Sequence, residues 1–272
     1  MLRNEGGNLN KVVICSPESE YFNLSDIKSH NFGEIPDKDN TIRQFKEFKS
    51  FLIDFGAEVV DIPELSGHPN SVFTRDVSLS TPEGYITLRM GLETRRGEEK
   101  WMSEVLSSLD EPELGEIKPP GTIEGGDIIL AGDVAFVGLS HRTNEEGIKQ
   151  LTAFLEPMGY KIRTASVKGR YLHIGGAMSS IGHEKIVYCS EVFPDGFFKG
   201  FDAVEVPNLD FNPSVGNVIC LRDNEILANS AENEITMEIL DKHDVKVHGI
   251  DLSEFRKGTG GPTCLILPVS RE

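Results

Sequence analysis

The chain has 272 residues, 38% of them apolar and 26% charged, which is enough to bury a real core and excludes a disordered chain. Its 44 acidic against 27 basic residues leave a formal charge of -17, which repels phosphate backbones and anionic lipid and so argues against nucleic acid and membrane partners. A small cation would instead be drawn in.

In chain order, the opening MLRNEGGNLNKVVIC carries no uninterrupted apolar run, and nothing later approaches the roughly 18 apolar residues of a membrane span, so a cytoplasmic protein is expected. A helix is expected over 41–55, where Phe45, Phe48, Phe51, Leu52 and Phe55 follow helical spacing and Gly56 stops it. A strand over 57–63 follows, then another over 72–79. Next come a helix over 98–109 with a weak strand over 115–120, and strands over 128–130 and 134–138. The helix over 145–158 carries Ile148, Leu151, Phe154 and Leu155 on one face, stops at Gly159, and leads into a strand over 160–166. Further strands are expected over 186–188 and 203–207, with a weakly patterned helix over 191–199 between them. A strand over 218–221, a helix over 232–242, a strand over 245–251 and an apolar strand behind Cys264 complete the chain.

Helix, turn and strand thus recur five times, with helix starts about 40 to 60 residues apart. No unit of this size covers its own sheet, so residues 1–272 are expected to form a single domain of five similar α/β units, closed and pseudo-symmetric.

The residues with chemistry to offer follow these strands. Asn70, Arg75 and Asp76 lie in PNSVFTRD, Glu124 and Asp127 in TIEGGD, His173 in GRYLHIGG, and Cys264 in KGTGGPTCLILP. Singly, each has a plain structural account. Asp76 could pair with Arg75, a carboxylate beside Gly-Gly closes turns, His173 between Leu172 and Ile174 could be a packed core residue, and Cys264 a small buried hydrophobe. Cys15, Cys189, Cys220 and Cys264 show no C-x-x-C spacing, which argues against a zinc knot or a redox pair. Together, a cysteine, a histidine and two carboxylates among glycines make a nucleophile, a proton carrier and a cation-binding pair. That set suits a planar, positively charged, electrophilic carbon, a guanidinium or amidinium.

VFTRD, EGGD, VGLSHRTNEEG from Val137, LHI with His173 and the late GGPTC resemble the guanidine-modifying pentein superfamily, from the 41–55 helix to Cys264. That family includes dimethylarginine dimethylaminohydrolases, arginine deiminases, arginine dihydrolases and amidinotransferases. VGLSHRTNEEG and the length lean towards the dimethylarginine hydrolases, FTRD and Asn70 towards the deiminases and dihydrolases. The family fold is a fivefold pseudo-symmetric α/β propeller, in agreement with the repeat. One position departs: deiminases carry an Asp two residues after the catalytic His, where this chain has Gly175.

The resemblance implies that Cys264 attacks the guanidinium carbon as a thiolate, His173 serves as acid and then base, and Glu124 and Asp76 hold the guanidinium while Glu124 orients His173. Arg95 and Arg142 would receive the substrate's carboxylate, and Asn70 joins Asp76 among the substrate-binding residues. No metal and no cofactor are implied, the partner is a small cationic guanidino substrate, and a homodimer is allowed. GEIPDKDN, from Gly33, reads as a lid. The expected activity is hydrolysis of arginine or N-methylated arginine to citrulline. The alternatives are an arginine dihydrolase giving ornithine, an amidinotransferase, which the short chain disfavours, and a non-catalytic ribosome-binding pentein, which would not need this set of side chains.

Overall fold

The computed structural model describes residues 2–167, 171–189, 192–207 and 216–272. In chain order the regular elements are β1 (Leu9–Cys15), α1 (Lys38–Phe55), β2 (Glu58–Ile62), β3 (Ser78–Thr81), β4 (Gly84–Thr87), α2 (Glu98–Ser108), β5 (Glu113–Glu116), β6 (Ile128–Ala131), β7 (Val134–Leu139), α3 (Glu145–Leu155), β8 (Lys161–Ser166), β9 (Met178–Ser180), β10 (Lys185–Cys189), β11 (Asp202–Val206), β12 (Ile219–Arg222), β13 (Glu225–Asn229), α4 (Glu234–Asp241), β14 (Lys246–Ile250), α5 (Ser253–Lys257) and β15 (Leu267–Arg271).

The strands make five separate three-stranded sheets, β15-β1-β2, β3-β4-β5, β6-β7-β8, β9-β10-β11 and β12-β13-β14. In each, the central strand is antiparallel to the first-named strand and parallel to the last. A parallel pair needs a crossover, which α1 to α4 supply in four of the sheets. First-named strands of neighbouring sheets meet: β15 touches β3, β6 touches β9 and β9 touches β12, while β12 touches the central strand β1 and the turns leading into β3 and β6 also meet. The five-unit α/β organisation expected from the repeat is therefore present. β1 and β15 close one sheet from the two ends of the chain.

Burial follows this layout. β3, β6 and β9 are buried along their whole length, whereas β2, β8 and β11 alternate with solvent. Each helix buries its apolar stripe against its own unit: Phe45, Phe48 and Leu52 on α1, Met102 and Leu106 on α2, Leu151 and Leu155 on α3, Leu240 on α4. No described helix is long and apolar enough to cross a membrane.

Two expectations change. The strand expected over 72–79 is instead two 3-10 turns, Pro69–Val72 and Thr74–Asp76, and β3 starts only at Ser78. Pro69 at the first turn presets helical φ there. The helix expected over 191–199 begins at Glu191, outside the described residues, and Val192–Lys199 forms turns broken at Gly196, whose φ is 75°. An aromatic plug replaces the helix as the cover of that sheet. Phe197 and Phe198 lie 5.3 and 5.6 Å from Phe136, centroid to centroid, and Phe198 lies 4.6 Å from Tyr188.

Candidate active site

Four side chains of the expected site occupy one structural position, repeated. Asp76 ends the turn Thr74–Asp76 before β3, Glu124 caps the turn Gly125–Asp127 before β6, His173 caps the turn Ile174–Gly176 before β9, and Cys264 lies in the turn Pro262–Leu265 before β15. Since these turns precede the mutually facing strands, the side chains converge. Asp76, Glu124 and His173 are buried, each offering an atom within 4.8 Å of the others.

His173 Nε2 lies 2.7 Å from Glu124 Oε2, and its Nδ1 lies 3.9 Å from Asp76 Oδ1. Glycine makes this approach feasible: a Cβ on Gly126 would stand 2.5 Å from His173 Nδ1. Glu124 Oε1 also accepts from the backbone N–H of Gly91 at 2.9 Å and Leu92 at 3.2 Å, and Arg142 Nη1 reaches both its oxygens at 3.3 and 3.4 Å. Burial would raise the Glu124 pKa, but the hydrogen bond and charge of His173, with Arg142 and Arg95 behind them, hold it well below the usual carboxylate range. Burial would likewise strip the proton from His173. The charges of Asp76, Asp127 and Glu124 outweigh it and raise the imidazolium pKa to about 9. At neutral pH the site therefore holds an ionised Glu124 and a protonated His173.

Asp76 is not Arg75's partner. Arg75 donates to Glu5 at 2.7 Å and to the Ile128 carbonyl at 2.8 Å. Asp76 Oδ2 instead accepts from Arg95 Nη1 at 2.6 Å, and its Oδ1 accepts from the Gly126 N–H at 3.1 Å. Arg95 is itself extensively paired. Its Nε and Nη2 donate to Glu98 at 2.9 and 2.8 Å and its Nη2 also to the Phe73 carbonyl at 3.0 Å, so the fork that a substrate carboxylate would need is engaged. Arg142 makes only the Nη1 contacts to Glu124 among the described residues, which leaves the rest of its fork open. Asn70 is buried, its Nδ2 donating to the His30 carbonyl at 3.0 Å while its Oδ1 has no partner among the described residues.

Cys264 is partly exposed, unlike the other three cysteines, which are buried. Burial of its sulfur and the charge of Asp76 push the thiol above its ordinary value, opposed by hydrogen bonds from Gly261, Asn217 and Thr263. The thiol is thus protonated in the free protein. A cation beside Asp76 would remove the opposing charge and favour the thiolate. A metal on Asp76, Glu124 and His173 would have to displace the His173 proton and compete with Arg95 and Arg142 for both carboxylates.

The family model described as N,N dimethylarginine dimethylhydrolase, eukaryotic, matches residues 26–271. The chain belongs to this family. It is 32% identical over 232 residues to a protein of Aeropyrum pernix, covering 83% of each chain. It is 29% identical over 241 residues to the N(G),N(G)-dimethylarginine dimethylaminohydrolase of Pseudomonas aeruginosa, covering 89% of this chain and 92% of that one. Among solved structures, a cysteine-to-serine variant of the enzyme from Pseudomonas aeruginosa, complexed with citrulline, superposes with a TM-score of 0.83 at 25% identity over 96% of this chain and 99% of the other. The substrate-bound N-terminal domain of a cyanobacterial arginine dihydrolase has the same fold, with a TM-score of 0.82 at 18% identity over 96% of this chain and 98% of that one.

Two further residues beside the site take roles that only their contacts reveal. Asp127 accepts from Ser140 Oγ at 2.6 Å, Thr143 Oγ1 at 2.7 Å and the Ile174 N–H at 2.9 Å, fixing the loop that carries Arg142 to the turn that carries His173. It stood in EGGD beside Glu124, but only contacts from two other loops reveal its role. Asn217 touches Cys264 from the turn before β12, where no ionisable residue drew attention. The segment from Gly33 read as a lid is tied down: Gly33 and Glu34 donate to the Lys257 carbonyl, the Asp37 N–H donates to Glu254, and the Asp37 carboxylate caps α1.

Proposed function

We propose that this chain hydrolyses the guanidino group of N-methylated arginine or arginine through a covalent S-amidino intermediate on Cys264, giving citrulline and an amine or ammonia. The observation that carries the reading is the placement of His173, 2.7 Å from Glu124 and 3.9 Å from Asp76, in the same cluster of turns as a partly exposed thiol. Membership of the family supports the hydrolytic class. Four units each supply one member of the set, so the whole chain acts as one catalytic domain.

The steps follow from the groups. The substrate's guanidinium binds at Asp76, its charge lets Cys264 release its proton to solvent, and the thiolate forms a C–S bond to the guanidinium carbon. His173 gives its proton to the departing nitrogen as the C–N bond breaks. Water then adds to the S-amidino carbon, returning a proton to His173, and collapse expels the thiolate. Loss of the remaining hydroxyl proton gives the citrulline carbonyl and restores the Cys264 thiol, and the released amine or ammonia takes up the proton first given to solvent. Arg142, with its open fork, receives the substrate carboxylate, and Asn70 Oδ1 accepts an N–H of the bound amino acid.

Gly175 bears on which arginine is bound. A Cβ there would stand 2.9 Å from the Gly126 carbonyl oxygen, so the two turns pack too closely for the aspartate of deiminases. A site without that acceptor suits a dimethylated nitrogen, which has no N–H left to satisfy. Incubation with arginine, monomethylarginine and dimethylarginine, followed by mass spectrometry, tests this. Methylamines with citrulline are expected, and no consumption of any guanidino compound would refute the reading.

A further inference from the structure

Four of the five units place a proposed site residue in the turn before the first-named strand of the sheet. The fifth such position, before β12, holds Asn217, which is buried at 6% exposure. Its Oδ1 accepts two hydrogen bonds, from the Thr263 N–H at 2.9 Å and from Thr263 Oγ1 at 2.8 Å. A backbone N–H can only donate, so the amide orientation is fixed by its neighbour. The Nδ2 is consequently directed at Cys264 Sγ, 3.5 Å away. The loop before the cysteine presses on this amide: a Cβ on Gly261 would lie 2.7 Å from Asn217 Cγ. On its other side, the preceding Gly216 N–H donates to the Gly176 carbonyl at 3.0 Å, in the turn that follows His173.

We propose that Asn217 is a positioning residue for the nucleophile: its amide N–H holds the Cys264 thiolate in place and stabilises it, while Thr263 locks the amide. The inference rests on the reading of Cys264 as the nucleophile. A donor beside sulfur favours S⁻ over S–H, and the direction of the hydrogen-bond effect on this thiol agrees. The pair Gly216 and Asn217 also joins the turn carrying His173 to the turn carrying Cys264, so acid and nucleophile share one support.

The discriminating variant is Asn217→Asp. It keeps an oxygen facing Thr263, and hence the loop, but puts an acceptor and a negative charge where the donor was. Asn217→Ala removes both. The readout is the pH dependence of Cys264 alkylation by iodoacetamide, located by peptide mass spectrometry; Cys15, Cys189 and Cys220 are buried. A lost hydrogen bond to a charged group corresponds to about tenfold. Both variants are expected to alkylate about tenfold or more slowly below the thiol's midpoint, with that midpoint moved to higher pH, further for Asp than for Ala. In turnover assays, kcat should fall while KM stays close to that of the unmodified protein. Asn217→Asp with an unchanged melting transition and an unchanged alkylation profile would overturn the proposal and leave Asn217 as a loop clamp. If Asn217→Asp does not fold, Asn217→Ala decides, and an unmoved midpoint there also overturns it. Alkylation needs no guanidino compound, so its outcome and that of the proposed reaction are separable.

Discussion

Replacing Glu124 by Gln should take the proton from His173 at neutral pH. The substitution preserves an oxygen for the Gly91 and Leu92 N–H groups and removes one charge, 2.7 Å from the imidazole. With charge centres roughly 4 Å apart and an effective dielectric constant of about 20, the lost attraction is about 4 kcal/mol, or about three powers of ten in proton affinity. The whole rise from the usual 6.5 to about 9 is smaller, about 3 kcal/mol. The charges of Asp76 and Asp127 remain, but burial and a newly unpaired Arg142 oppose them. His173 should therefore titrate below 7 in the variant.

The assay is a pH titration of ¹⁵N-labelled histidine by NMR, read at His173 in both proteins. A variant in which His173 still titrates above 8 would show that Glu124 is not the group that holds the proton. Stability follows with a fixed sign. Because His173 has a raised folded-state pKa, its contribution is complete below the unfolded value of 6.5 and is lost as pH rises to about 9. The unmodified protein should lose up to about 3 kcal/mol from this group across that window. Urea unfolding of Glu124→Gln at pH 6 and 9 should show this slope largely abolished.

Cys264→Ser should abolish turnover while leaving the melting transition in place, since a serine hydroxyl is far less ionised at neutral pH; retained activity in purified protein would remove the nucleophile. Arg95→Ala strands the buried carboxylates of Asp76 and Glu98 and should destabilise the fold by about 3–5 kcal/mol in urea unfolding, with little recovered by Arg95→Lys, whose single ammonium cannot bridge both. Arg142→Ala should raise KM for amino-acid substrates much more than for an alkylguanidine without a carboxylate; an equal rise for both would mean that Arg142 acts only through Glu124.

The sequence disclosed the site's chemistry more fully than its wiring. The helical stripes of α1 and α3, the strand runs behind them and the order Asp76, Glu124, His173, Cys264 were legible because amphipathic periodicity and turn glycines are local signals. Partners across the ring are not local. Arg95 and Arg142 look alike in sequence, yet only Arg95 finds both Asp76 and Glu98, three residues along its own helix start, and so bridges two buried carboxylates. Asn217 was invisible for a related reason: an uncharged amide attracts no notice until Thr263, 46 residues away, fixes which of its ends faces the sulfur. The fourth unit also misled, since 191–199 read as a weakly patterned helix, whereas Phe193, Phe197 and Phe198 pack as a cluster between Phe136 and Tyr188. A ring of repeated units makes such errors recoverable. Once four units present a site residue in the turn before the inner strand, the fifth turn is the place to look, and the residue found there touches the thiol.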